Sequence, residues 1–501
     1  MIHVTINGKP VEVSEGSTIM EAAETVGIRI PSLCHMKNVH QYGSCRICVV
    51  EVEGMKNLQA SCMAKVREGM VIRTHSPKVL AARKVLYELL LSNHPKDCLN
   101  CSRNTNCELQ ELGYELGVSE SRFEGAMTKP MVDISPSITR DTSKCILCRR
   151  CTQIQKVGAI QAQNRGFDTV VSPAMGLPLN STACAMCGQC TVVCPTGALK
   201  ETDGLAPVWR ALADPEKRVV VQVAPAVRAA LGEEFGLPVG TPVTGKMATA
   251  LHEIGFDDVF DTLFSADLTI LEEGTELLGR LNAALKGDES QKEKAVLPMI
   301  TSCSPGWIKH IEHQFPEELD HLSTCKSPHT MLGAVVKSFY AERTATAPEN
   351  MFVVSVMPCT AKKYEIQRPE MEVDGNRDVD AVLTTRELAR MIKTAGIDFV
   401  NLPEGEFDAP LGLGTGAADI FGVTGGVMEA ALRTVYEVVT GKELPFDKLH
   451  VAPIVGLEQV KTASITIEDT LPAYEHLKGV TVNVAVTSGL EGASMLMREV
   501  A

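Results

Sequence analysis

Apolar and polar residues alternate from the first position. Ile2, Val4 and Ile6 stand against His3 and Thr5, Asn7-Gly8 interrupts, and Val11 and Val13 resume the alternation. Period two broken by Asn-Gly predicts a β-hairpin. A short helix is expected next, capped by Ser17 or Thr18 and ended by Gly27. A second helix is predicted with Ser76 as N-cap, Pro77 in its first turn and an apolar run through Leu91. After about Pro207 the pattern changes to short apolar runs between helical stretches. Residues 219–223, 296–300, 352–356 and 481–486 are strand candidates, the second made less regular by Pro298. Residues 427–439 read as a helix closed by Gly441. Strands alternating with helices predict a mostly parallel sheet with its site at the strand carboxyl ends.

The chain has 501 residues, which suggests three or four domains. It carries 48 Lys and Arg against 62 Asp and Glu, a net charge of −14. That balance argues against a nucleic-acid or anionic-membrane surface, and points weakly to a partner with basic patches. No apolar stretch is long enough to span a membrane, and the first residues do not form a secretory signal. The expectation is a soluble, cytoplasmic protein.

Seventeen cysteines change the picture, because 14 of them lie from Cys34 to Cys194. Without a secretory signal, clustered cysteines read as metal ligands rather than disulfides. The first block is Cys34, Cys45, Cys48 and Cys62 on a loop of small and polar residues. Four thiolates there suit a 2Fe-2S cluster, with zinc as the alternative. The block resembles the plant-type ferredoxin module, a β-grasp fold, with a longer first spacing. The second block is His94, Cys98, Cys101 and Cys107. On spacing alone it could hold zinc; the sequence Asn93-His94-Pro95-Lys96-Asp97-Cys98 resembles the His/Cys3-ligated 4Fe-4S module of respiratory and hydrogenase subunits. The third block is a repeat: Cys145, Cys148 and Cys151, then Cys184, Cys187, Cys190 and Cys194. In two-cluster ferredoxins the fourth Cys of each run ligates the other cluster. Cys145, Cys148, Cys151 and Cys194 make one full set. Cys184, Cys187 and Cys190 lack a thiolate partner, since Gln155 stands where the first run should end. That cluster is three-iron, has another ligand, or is absent.

Two further cysteines sit in distinctive contexts, Thr301-Ser302-Cys303-Ser304-Pro305-Gly306-Trp307 and Met357-Pro358-Cys359-Thr360-Ala361-Lys362. Both resemble motifs of FeFe hydrogenase catalytic subunits. The similarity extends through Val221 to Arg228, Leu271 to Glu276 and Ile420 to Glu429, and covers essentially the whole chain. It is nearest to the multi-cluster subunit of NAD(P)-linked hydrogenases, which works with flavin-containing partners.

The resemblance implies four modules: a 2Fe-2S ferredoxin-type domain at 1–78 and a His/Cys3 4Fe-4S module at 79–125, then a two-cluster 4Fe-4S domain at 126–208 and an α/β hydrogenase domain at 209–501. It implies H2 oxidation or proton reduction at an H-cluster, a 4Fe-4S cubane joined to a two-iron subsite. Electrons would pass through up to three accessory 4Fe-4S clusters and the 2Fe-2S cluster, to or from ferredoxin or NAD(P). Maturation factors would assemble the H-cluster. Carried over by motif, Cys359 would bind the cubane, and Lys362 would hydrogen-bond a cyanide ligand. Ala224, Pro225, Met357 and Phe421 would pack around the subsite. Glu273, Glu276, Ser323 and Arg280 would carry protons, with Cys303 at the inner end.

Each residue also has a plainer reading: Glu273 and Glu276 as a solvated helix face, Lys362 and Lys363 as surface charge, Cys325 as incidental. The chain departs from the family pattern in two places. Ser304 occupies the position of a cubane cysteine, so either Ser304 ligates or Cys303 shifts into that role. A third motif, Cys-x3-Cys, would follow residue 501, and the expectation is that the sequence is a truncated form. The alternative function is a non-catalytic iron–sulfur electron-transfer protein without a complete H-cluster.

Overall fold

The computed structural model describes residues 1–39, 42–128, 130–286, 295–423, 425–444, 452–454 and 457–501. They divide into two compact units. The first is Met1–Cys184 with Gly188–Thr202; the second is Ala185–Cys187 with Asp203–Ala501.

In the first unit, Ile2–Ile6 and Lys9–Val13 form the expected antiparallel hairpin, with Val4 opposite Val11. Asn7 and Gly8 both take positive φ, 51° and 82°, as a two-residue hairpin turn of matching twist requires. Three more strands, Val71–Arg73, Val49–Val52 and Gln59–Ala60, complete a five-stranded sheet. The helix Ile19–Thr25 buries Ile19, Met20, Ala22 and Ala23 against it. Thr18, not Ser17, is the cap: its hydroxyl accepts from Glu21 N while the Glu21 carboxylate accepts from Thr18 N. Cys48 and Cys62 belong to this same core, so the cysteine site is framed by packed strands. Each fully buried Val or Ile there contributes roughly 1.5–3 kcal/mol. The helix Pro77–Ser92 starts at Ser76 as predicted, and Glu108–Leu116 follows it. Leu199–Glu201, Ile138–Asp141 and Val132–Ile134 form a three-stranded sheet, and the later cysteines lie in the segment between Asp141 and Leu199.

The second unit is built on four parallel strands in the order Asp258–Asp261, Arg218–Val223, Met351–Val356, Ala381–Leu383. Two of them, 218–223 and 351–356, were expected; the outer pair is too short to stand out in the sequence. The connection runs one way from Arg218–Val223 to its first neighbour and the other way to the rest. The direction reverses between the two central strands, so a crevice opens at their carboxyl ends.

Two expectations are corrected. Residues 296–300 do not form a strand: Ile300 makes one isolated bridge to Leu322, and Pro298 has no N–H to continue a ladder. Thr481–Thr487 is a strand, but it pairs antiparallel with Leu457–Thr466 in a separate three-stranded sheet. Its residues alternate between exposed and half-buried, the pattern of a strand covered on one face, and Val482 and Val484 pack toward Leu432 and Ile465. The helix Gly426–Thr440 ends at Gly441, φ 67°, as expected.

Candidate active site and cluster-binding loops

Cys34, Cys45, Cys48 and Cys62 are all buried. They fall into two pairs. Cys48 Sγ and Cys62 Sγ lie 3.3 Å apart, and Cys45 N donates to Cys34 Sγ at 3.5 Å. Leu33 N donates to Cys45 Sγ at 3.4 Å. Within each pair a hydrogen bond between the sulfurs splits their acidities. Cys34 falls to about 5 and Cys48 to about 6, while Cys45 and Cys62 are pushed up. Two donors per iron and N–H groups aimed at sulfur fit a 2Fe-2S cluster.

His94 is mostly buried and its Nδ1 has no hydrogen-bond partner. Burial lowers its pKa, which keeps the imidazole neutral, the form that binds metal. Cys98 is exposed; Cys101 and Cys107 are half-buried. The turn after Cys194 lies against this loop. Glu108 N donates to Pro195 O at 3.1 Å, and Arg103 Nη2 to Cys194 O at 3.3 Å. A Cβ on Gly197 would stand 3.1 Å from Cys101 Sγ, so a side chain there would crowd the thiol.

Cys145, Cys148, Cys151 and Cys194 line one cavity, with Arg140 and Ile146 among its walls. These are the four thiols that the repeat pattern grouped. Burial pushes Cys145 up to about 11 and Cys148 to about 12, a cost that a bound cation removes. Gln155 is occupied locally: its Nε2 donates to Ile160 O and its Oε1 accepts from Ala159 N, both at 2.8 Å. Cys184 and Cys190 are buried and Cys187 is half-buried.

The second unit places its chemistry at the crevice. Ala224 and Pro225 leave the strand Arg218–Val223, and Ala224 N donates to Val356 O at 3.0 Å. Met357, Pro358 and Cys359 leave the neighbouring strand, with Met357 buried. Thr360 Oγ1 donates to Met186 O at 2.8 Å, and Cys187 acts electrostatically on Cys359. Cys303 precedes the helix Pro305–Gln314. Lys362 Nζ donates to Cys303 O at 2.8 Å, which ties the two cysteine loops together. Burial raises Cys303 to about 11 and also raises Cys359. Ser304 is exposed at the N-cap position, yet its side chain makes no capping bond. Phe421 packs on Leu263, Ala266 and Ala418.

The long helix Leu263–Lys286 turns Glu273 and Glu276 inward, which overturns their reading as a solvated face. Glu273 is 1% exposed, its Oε1 is unpartnered, and burial raises its pKa to about 7. Burial would raise Glu276 too. Arg280, Ser323 and Thr324 N instead hold it below the usual carboxylate value. Arg280 Nη2 donates to Glu276 at 2.7 Å and Ser323 Oγ at 2.9 Å. Ser323 also lowers the pKa of Glu273 against the effect of burial, and Glu273 acts electrostatically on Cys303. Arg280, Glu276, Ser323, Glu273 and Cys303 thus form a chain of neighbours. Cys325 Sγ stands beside it, 3.7 Å from Glu276 Oε2.

Lys362 and Lys363 are not surface charges. Lys363 pairs with buried Glu387 at 2.8 Å. Lys362 pairs with Glu365 at 2.8 Å, and Glu365 accepts from His329 Nε2 at 2.8 Å. His329 Nδ1 lies 3.1 Å from Ser355 Oγ. Despite its burial Glu365 is held down at about 2 by Lys362 and His329. Sequence reasoning missed this pair. Lys362-x2-Glu365 spacing was a signal for the carboxylate; a lone His329 gave none.

Loops of buried cysteines in the first unit, and cysteines following the strands of a parallel sheet in the second, place the chain among iron–sulfur oxidoreductases. Residues 217–501 match the iron only hydrogenase large subunit, C-terminal domain, and the chain belongs to the iron-only (FeFe) hydrogenase family. Residues 1–77 match a 2Fe-2S iron-sulfur cluster binding domain, and 83–122 the NADH-ubiquinone oxidoreductase-G iron-sulfur binding region. Residues 177–200 match a 4Fe-4S binding domain. The chain is 53% identical over 479 residues to the NADP-reducing hydrogenase subunit HndD of Solidesulfovibrio fructosivorans, covering 94% of this chain and 81% of that one. It is 39% identical over 502 residues to iron hydrogenase 1 of Clostridium pasteurianum, covering 99% and 83%. Among solved structures, FeFe-hydrogenase HydA1 from Chlamydomonas reinhardtii superposes with a TM-score of 0.52 at 43% identity, over 58% of this chain and 78% of that one. Among the described residues, no helix is long and apolar enough to cross a membrane.

Proposed function

We propose that this chain is the hydrogen-activating subunit of a multi-subunit, NAD(P)-linked FeFe hydrogenase, interconverting H2 with protons and electrons. The observation that carries the reading is the buried chain Arg280–Glu276–Ser323–Glu273, which ends at Cys303 beside Lys362. Two carboxylates on either side of a hydroxyl can hand a proton inward by changes of partner. Glu273, with a pKa about 7, accepts and releases protons near neutrality. Glu276, held ionised by Arg280, is the outer acceptor.

The H-cluster, when bound, supplies the redox chemistry of hydrogen. Cys359 and Cys303, or Ser304 in its place, are the cubane donors that the residues present offer, half of the four a cubane needs. Lys362 supplies a cation and hydrogen-bond donor at that edge, and Ala224, Pro225, Met357 and Phe421 exclude water.

The domains are assigned as 1–78, 79–125, 126–208 and 209–501. Cys34, Cys45, Cys48 and Cys62 hold the 2Fe-2S cluster. His94, Cys98, Cys101 and Cys107 hold one 4Fe-4S cluster, and Cys145, Cys148, Cys151 and Cys194 another. Cys184, Cys187 and Cys190 hold a further cluster whose fourth ligand is not cysteine. The electron partner is a flavin-containing NAD(P) subunit or ferredoxin, and the compartment is the cytoplasm. The excess of acidic residues lies wholly in the second unit. The cluster-bearing first unit therefore does not call for a basic partner.

The test is H2 evolution from reduced viologen by the chain completed past residue 501 with the Cys-x3-Cys motif, co-expressed with hydrogenase maturation proteins. Turnover is expected, together with loss of turnover in Glu273→Gln. A cluster-replete protein without turnover would favour the second reading, a non-catalytic electron carrier, which the exposed Ser304 supports.

A further inference from the structure

Arg83 lies on the helix Pro77–Ser92 and is 5% exposed. Its Nε donates to Ile47 O at 3.0 Å and its Nη2 to Val49 O at 2.9 Å. Ile47 and Val49 flank Cys48, so the guanidinium forks across the peptide segment that carries this cysteine. Both acceptors are neutral carbonyls, and among the described residues no carboxylate pairs with Arg83. Two other buried arginines of the same unit differ: Arg140 faces Asp133 at 3.6 Å and Arg150 faces Glu108 at 2.7 Å. A guanidinium stays protonated, and a buried cation without a countercharge costs several kcal/mol. Such a residue needs an anion nearby. Cys48, flanked by the two carbonyls that hold the guanidinium, is the candidate, and its thiolate is the group that acts electrostatically on Arg83.

A 2Fe-2S site of four thiolates supplies that anion. Two ferric ions, two sulfides and four thiolates sum to a dianion, and reduction places one electron on an iron, adding a further negative charge. A fixed cation at the edge of the site stabilises the more negative state.

We infer that Arg83 is the countercharge of the 2Fe-2S site at Cys34, Cys45, Cys48 and Cys62, and that it raises the reduction potential of that cluster from the neighbouring module. This rests on the assignment of those four cysteines made above. It makes Arg83 a tuning residue: it touches the backbone of a ligand, and acts on the cluster through charge.

The test is a dithionite titration of the full chain, followed by the electron paramagnetic resonance signal of the reduced 2Fe-2S cluster. In Arg83→Gln the ratio of reduced to oxidised cluster at a fixed potential should fall roughly tenfold, about 59 mV downward for one electron. Arg83→Lys keeps the charge but not the fork, and should stay near the wild-type potential. An unchanged potential in a cluster-retaining Arg83→Gln would overturn the inference. If Arg83→Gln loses the cluster, Arg83→Lys decides: wild-type potential supports the inference, and a tenfold fall or loss of the cluster overturns it. Absence of the signal from wild-type protein would instead remove the cluster assignment itself.

Discussion

Replacing Glu273 by Gln separates what its burial costs from what its proton does. The carboxyl is 1% exposed and its pKa rises from 4.5 to about 7, chiefly through desolvation. At 1.36 kcal/mol per pH unit, the ionised form in the fold carries a penalty of about 3 kcal/mol. The sign follows from the two states. Below pH 4.5 the carboxyl is protonated in both, and nothing is lost. From 4.5 to about 7 the unfolded chain ionises while the fold does not, so stability falls as pH rises. Above 7 the loss is complete. Glutamine has a similar shape and never ionises, so it escapes the loss. The variant should match wild type near pH 4 and exceed it by about 3 kcal/mol near pH 8, roughly 5 °C in the melting of the second unit. Hydrogen turnover should fall by about 10²-fold or more, because the variant cannot take up a proton. Thermal melts of both proteins at half-unit pH steps, with viologen-linked turnover on the same samples, provide the assay. A melting difference independent of pH, or a variant less stable than wild type at pH 8, would refute the reasoning.

Glu365→Gln removes the carboxylate that His329 and Lys362 share, leaving Lys362 buried without its ion pair; a loss of about 3–5 kcal/mol is expected in denaturant melts. Cys48→Ser should lower bound iron by about two per chain and abolish the 2Fe-2S resonance signal while the 4Fe-4S signals persist. Gly333→Ala drives a Cβ into the Asp378 carbonyl oxygen, so the helix Pro328–Val335 must shift; about 1–3 kcal/mol of stability should be lost, measured by chemical denaturation.

The sequence was most legible where one residue type does one job. Asn7-Gly8, Ser76-Pro77 and Gly441 each mark a boundary through backbone geometry alone, and the structure places turns and caps there. The cysteine groups were legible for the same reason: spacing on a loop already limits which sulfurs can meet, and Cys194 joins Cys145, Cys148 and Cys151 across a 43-residue separation. Residues 481–486 were harder. A strand is readable from alternation, but its partner is not, because pairing is decided by distant residues such as 457–466. The proton-path residues came from motif resemblance; their burial, and the hydrogen bond from Ser323 to Glu276, needed the fold. Arg83 and His329 gave no local signal, since each acts on residues tens of positions away.

The most direct measurement is the infrared spectrum of the matured chain completed past residue 501 with the Cys-x3-Cys motif. Sharp bands from CO and cyanide bound to iron are expected, moving when the protein is exposed to H2. Protein with its accessory clusters in place and no such bands after maturation would contradict hydrogen activation and leave an electron carrier.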